Sequence, residues 1–127
     1  MFNNMINTEV TVIVSSRAET LLEYNGVLCE ENENTAEDLN KATTYYNSDD
    51  YKNALDYYIK AVQPGEKNTG TTYYRLAYSW ENVNPNASKY FSKFYSIAAY
   101  CFERDNDTEN KYYSYSINKE EKFNTNH

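Results

Sequence analysis

The chain has 127 residues, with 19 acidic and 12 basic side chains and a net charge of −7; a domain of this length buries roughly two thirds of its unfolded surface without metals or staples. Fifteen tyrosines against five phenylalanines and one tryptophan mean that much of the apolar contact must come from rings carrying a hydroxyl, some wet and others needing buried partners. The unclustered basic residues argue against direct nucleic-acid binding, the apolar runs are too short to span a bilayer, and the only histidine, His127, is the last residue.

The acidic groups crowd the first third. Residues 1–38 hold eight acids against Arg17 alone, whereas residues 39–127 hold eleven of each sign. After a loose end at residues 1–7, Val10, Val14, Leu21, Tyr24 and Leu28 fit a helical stripe that Thr8 can cap. The alternation of Val10, Val12 and Val14 also fits a short strand at residues 8–15, but no second strong strand segment exists to pair with it. Gly26 weakens the helix near its end. The polar segment 30–34 is the first hinge, so the expected division is an acidic N-terminal segment, 1–34, and a helical domain, 35–127.

Within that domain Thr35 caps a helix running to about Tyr46, with Asp38 in place of the usual capping-box Glu. Asn47, Ser48 and Asp49 form a tight turn, and Asp49 or Asp50 caps a helix that extends to about Gln63, where Pro64 and Gly65 stop it. A polar link over 66–70 leads to a helix opened by Thr71 or Thr72, from Tyr73 to about Asn82. Pro85 disfavours the helical conformation at Asn84 and breaks the chain there. A long helix follows from about Ala87 to Phe102, burying Phe91, Phe94, Tyr95, Ala98 and Phe102. Residues 105–107 interrupt the chain before a last helix from about Thr108 to Lys122, with Tyr112, Tyr113 and Ile117 on its apolar side. The expected fold is all-α, five or six helices stacked as antiparallel hairpins.

Two stretches share a pattern. In DYKNALDYYIKAV, Ala54, Tyr58 and Ala61 stand three and four apart, so two small groups flank one large ring on a single helical face. Leu76 and Ala77 repeat Lys41 and Ala42, and Phe91, Tyr95 and Ala98 repeat Ala54, Tyr58 and Ala61. On these residues the chain resembles the tetratricopeptide family, whose repeat is a helical hairpin of about 34 residues. Ala42, Tyr45, Tyr51, Ala54, Tyr58 and Ala61 match its small and ring positions in the first copy. Ala77, Trp80, Tyr95 and Ala98 follow in the second once two extra residues are allowed around Pro85, with Phe91 where a small residue is expected. Tyr113 and Ser114 open a partial third. The same segment is similar to three-helix domains of the microtubule-interacting-and-trafficking type, a rival that leaves the last helix unexplained.

The tetratricopeptide resemblance implies a concave groove lined by the first helices of successive hairpins. It would present Leu39, Thr43, Tyr46 and Asn47, then Tyr74, Tyr78, Glu81 and Asn82, then Lys111, Tyr115 and Lys119. Rings beside amides suit an extended peptide, since Asn pairs with peptide backbone and Tyr adds contact area at low entropic cost. The partner-binding set is Tyr46, Asn47, Tyr74, Tyr78, Asn82, Lys111 and Tyr115. Leu39 and Thr43 replace the Lys and Asn that family members use to clamp a terminal carboxylate, which points to an internal peptide or a protein surface.

Nothing in the pattern calls for catalysis, a cofactor or a metal. Asp49 with Asp50 and Glu120 with Glu121 read as capping and solvated pairs, and Gly26, Gly65 and Gly70 are isolated rather than a phosphate loop. Cys29 and Cys101 lack metal or redox spacing, which favours a cytoplasmic setting weakly and leaves one buried disulfide open. The N-x-S/T matches at Asn86 and Asn106 then read as chance. A non-catalytic protein-binding adaptor is the expected function, in the cytoplasm, away from membrane and nucleic acid; an unpaired last helix also offers apolar surface to a second copy. The alternative is a small acidic inhibitor that imitates nucleic acid or blocks a basic site, with the acids of residues 9–38 meeting a Lys/Arg-rich cleft.

Overall fold

A computed structural model describes residue 29, residues 36–62 and residues 69–124, with side chains through residue 119. The expected N-terminal helix or strand, the hinge at 30–34, the Thr35 cap and the Pro64–Gly65 stop lie outside the described residues. Those described form five helices and no strand: α1 (Ala36–Asn47), α2 (Tyr51–Ala61), α3 (Gly70–Val83), α4 (Ser88–Arg104) and α5 (Lys111–Asn124). Consecutive helices pack on one another, and α3 also touches α1 and α5. This is a stack of helical hairpins in the tetratricopeptide manner, with first helices beside first helices.

The first hairpin closes on small side chains. Ala42 of α1 and Ala54 and Ala61 of α2 have no exposed surface, which allows two helices to approach closely. Tyr58 inserts between them, and its hydroxyl shares a 3.1 Å hydrogen bond with that of Thr43. The turn joining the helices has a defined chemistry. Asp50 N–H donates to the Tyr45 carbonyl at 2.9 Å and Asp49 N–H to that of Tyr46 at 3.1 Å, the paired bonds of a Schellman motif. Asp49 takes the left-handed conformation that this requires, at φ 59°. Asp50 then caps α2, its carboxylate accepting from Asn53 N–H at 3.4 Å.

The second hairpin is filled by larger rings. Trp80 of α3 stacks on Tyr90 of α4 at 5.0 Å with planes 7° apart, and Phe94 fills the space beside Trp80 at 6.2 Å. Phe91 is fully buried where the first hairpin has Ala54. At the turn, Asn84 is extended, at φ −148° and ψ 90°, as a residue before proline must be. Its side chain accepts from Asn86 N–H at 3.1 Å. Full burial of a large apolar side chain is worth about 1.5–3 kcal/mol, so Trp80, Phe91 and Phe94, each at most 1 % exposed, contribute strongly to stability.

Several boundaries differ from the sequence reading: α2 ends at Ala61 and α4 runs on to Arg104. Gly70, expected in the polar link, is the first residue of α3, and Thr69 rather than Thr71 or Thr72 precedes it. The glycine itself is required by a close approach: a Cβ on Gly70 would lie 2.9 Å from Cδ1 of Phe102. The last helix begins at Lys111, not Thr108, because Asn110 caps it, accepting from Tyr112 N–H at 2.9 Å. Before it, α4 ends in a second Schellman pair, with Asp107 N–H to Phe102 at 2.8 Å and Asn106 N–H to Glu103 at 3.1 Å. Asn106 is left-handed at φ 56°.

Cys29 and Cys101 are buried and joined in a disulfide across 72 residues, with Cα atoms 5.3 Å apart. The Arg104 guanidinium also donates to the Cys29 carbonyl at 2.6 Å. Residue 29 is thereby fixed to the C-terminal half of α4. Among the described residues no helix is long and apolar enough to cross a membrane.

Candidate interaction surface

Helical periodicity gives α3 two ring-bearing sides. Tyr73, Leu76, Ala77 and Trp80 are turned into the core with α4, while Tyr74, Tyr78, Glu81 and Asn82 follow a stripe about 100° away. On that second side the rings of α1, α3 and α5 meet. Tyr78 stands edge-on to Tyr46 at 6.1 Å, to Tyr51 at 5.6 Å and to Tyr115 at 5.8 Å. Tyr74 stacks on Tyr78 at 5.8 Å and on Tyr112 at 4.3 Å. Such pairs contribute about 0.5–1.5 kcal/mol each beyond the area they bury, so the rings are held in place by one another.

Glu81 organises the α5 end of this face. Its Oε1 accepts from the Tyr95 hydroxyl at 2.8 Å and from that of Tyr115 at 3.4 Å, and its Oε2 pairs with Lys119 Nζ. The carboxylate therefore collects donors from two neighbouring helices. Burial pushes the Tyr95 hydroxyl pKa upward, and donation to a carboxylate adds to the shift. Tyr115 moves the same way through burial and the Glu81 charge. For Lys119 burial alone would lower the pKa, but the bond and charge of Glu81 outweigh it and the net shift is upward. At the α1 end, burial raises the Tyr46 hydroxyl to about 12.

Cations lie over several of these rings. Arg75 sits 5.4 Å from the centre of Tyr46, Lys111 5.2 Å from Tyr112 and Lys119 5.4 Å from Tyr115, within range of attraction by the ring quadrupole. Beside the rings a cleft of about 470 Å³ opens between α1, the start of α3 and the end of α4, with Leu39, Thr43, Thr72, Arg75 and Phe102 in its walls.

The expected partner-binding residues are brought together unequally. Tyr46, Tyr78 and Tyr115 are part-buried members of the ring cluster. Tyr74 belongs to the cluster but is only 5 % exposed, a correction to its reading as an off-core, water-facing ring; Tyr112 and Tyr78 stack on it and shut out water. Asn47 and Asn82 are exposed, and Asn82 already donates to the Tyr78 carbonyl of its own helix at 2.8 Å. Lys111 is exposed at the edge, over Tyr112. Three residues outside the expected set belong here: Tyr51, assigned to the hairpin seam; Tyr112, assigned to the apolar side of the last helix; and Arg75. A signal for Arg75 was present, since it stands three before Tyr78 and seven before Asn82, on the same helical stripe.

The described residues contain no cluster of His, Cys, Asp and Glu able to hold a metal ion. No family model matches this chain, and neither does any curated protein or solved structure.

Proposed function

We propose that this chain is a non-catalytic protein-interaction module that receives an extended peptide or a protein surface on the ring face of α1, α3 and α5. One observation carries the reading. Tyr46, Tyr78 and Tyr115 are fixed by mutual ring contacts yet remain only part-buried, whereas the equally aromatic neighbouring side of α3 is closed by α4. Tyrosine is among the side chains enriched at the energetic centre of interfaces, and a ring already held in place loses little freedom on binding. The tetratricopeptide resemblance supports the same face, because there too the first helices of successive hairpins supply the binding side.

The Cys29–Cys101 bond favours a working environment that keeps thiols oxidised over the cytoplasmic setting read from the cysteine spacing. The acidic segment invoked for an inhibitor or nucleic-acid mimic lies almost wholly outside the described residues, and no observation here favours that alternative.

The test is a truncation at the centre of the face. Tyr78→Ala should weaken binding of a partner by about 2 kcal/mol or more, while Tyr100→Ala, on the exposed side of α4, changes it far less. Isothermal titration with the folded variants reads both; undiminished affinity in Tyr78→Ala would move the interface elsewhere.

A further inference from the structure

We propose that the ring face of α1, α3 and α5 takes a proline-rich segment of its partner, held as a polyproline II helix. The proposal rests on the interaction reading above and names the class of ligand. Its starting point is the balance of hydrogen-bonding groups on the face. The carboxylates that reach the rings are already engaged: Glu81 accepts from Tyr95 and Tyr115 and pairs with Lys119, and Asp49 accepts from the Tyr51 hydroxyl at 3.1 Å. The donors are not. The hydroxyls of the part-buried Tyr78 and Tyr112 bond to no described residue, the Asn47 amide is exposed, and the Lys111 ammonium makes no ion pair with a described carboxylate. An ordinary extended peptide brings an N–H with every residue and finds no free carboxylate here, so part of its donors lose water without replacement. A proline-rich segment brings carbonyls without the matching N–H groups, which is the complement of this face.

The shape agrees. Tyr46, Tyr51 and Tyr115 meet Tyr78 with ring planes 63°, 74° and 65° from its own, so the rings form ridges with notches between them rather than a flat plate. Ring centres are 6.1 Å apart from Tyr46 to Tyr78 and 5.8 Å from Tyr78 to Tyr115. A polyproline II helix rises about 3.1 Å per residue, so every second residue advances by the spacing of neighbouring rings. Aromatic-lined surfaces hold such segments because the ligand's conformation is set before it binds. Here the rings are fixed by one another and the ligand by its own pyrrolidines, so neither side has much freedom to lose.

The experiment titrates the full oxidised chain with an end-blocked, fluorescein-labelled ten-proline peptide, and with a glycine–serine peptide of equal length, by fluorescence anisotropy. The proline peptide should bind about tenfold tighter or more, because the flexible one must first be ordered. Tyr78→Phe keeps the ring and removes its donor, and should weaken the proline peptide about three- to tenfold; Tyr100→Phe, on the exposed side of α4, should leave it unchanged. In the native chain the ring resonances of Tyr78 and Tyr112 should shift as the proline peptide is added, a readout that needs no variant to fold. Equal affinity for the two peptides, undiminished affinity in Tyr78→Phe, or unmoved Tyr78 and Tyr112 signals each overturns the proline-rich ligand. A random peptide library selected on the same chain separates this proposal from the reading beneath it. Proline-free binders that lose affinity in Tyr78→Ala overturn the proposal and keep the face, whereas a library that yields no Tyr78-dependent binder overturns both.

Discussion

The two aromatic sides of α3 use the same kind of residue for different ends. Towards α4, Tyr73, Trp80, Phe91 and Phe94 are packed to zero or near-zero exposure, and the Trp80–Tyr90 stack closes the outside of the hairpin. Towards α1 and α5, the rings are organised by edge contacts, by a carboxylate gathering two hydroxyls and by cations laid over their faces. The first arrangement excludes water and stabilises the fold. The second leaves part of each ring and several charged groups accessible, which is a condition for recognition. Burial of Tyr74 beneath Tyr112 shows the cost of a firm surface: one ring is given up to support its neighbours.

The largest way to break this contrast is alkaline pH, because both sides hold tyrosines that cannot ionise in place. Burial raises the pKa of Tyr73; burial with the Glu81 bond raises that of Tyr95; and burial raises Tyr46 to about 12. A raised pKa means that the unfolded chain releases these protons first. Their contribution is complete below the unfolded value of about 10 and is lost as pH rises through the folded values. Unfolding should therefore accompany tyrosine ionisation between about pH 10 and 12, in one cooperative step in the 295 nm absorbance. Gradual titration with the helical dichroism intact would contradict the assignment of these hydroxyls.

Next in size, Trp80→Ala on the packed side should cost about 3–5 kcal/mol in urea unfolding, well above the effect of Tyr78→Ala on the ring side. Equal losses would erase the distinction between the two sides. Ala54→Leu in the first hairpin should cost about 1–3 kcal/mol by overpacking the crossing with Ala42. An unchanged denaturation midpoint would show that the helices are not in close contact there. The smallest effect is at Ser79, whose buried hydroxyl has no hydrogen-bond partner. Ser79→Ala should be neutral or stabilise by up to about 1 kcal/mol, and a clear loss in the same assay would reveal a bond to that oxygen.

The hairpins were legible because local rules govern them. Ala54, Tyr58 and Ala61 carry their spacing openly, Asp50 is a cap by type and position, and Pro85 dictates the conformation of Asn84. The first-helix face was legible in outline through Tyr46, Tyr78 and Tyr115. What escaped depends on partners distant in sequence. Glu81 becomes a hub only when Tyr95, Tyr115 and Lys119 arrive from other helices, and Tyr74 is buried only because α5 places Tyr112 on it. Cys29 meets Cys101 across 72 residues, a pairing that spacing alone does not choose. Gly70 read as a linker residue because its reason, the ring of Phe102, lies on another helix.

The division of labour between the two sides is tested most directly by NMR of the chain with ¹³C-labelled tyrosine rings, followed as a binding partner is added. Resonances of Tyr46, Tyr78, Tyr112 and Tyr115 should shift together, while Tyr73 in the packed core and Tyr100, 61 % exposed on α4, stay in place. Shifts led by Tyr90 or Tyr100, with the α1, α3 and α5 rings unmoved, would contradict the account and put the binding surface on α4.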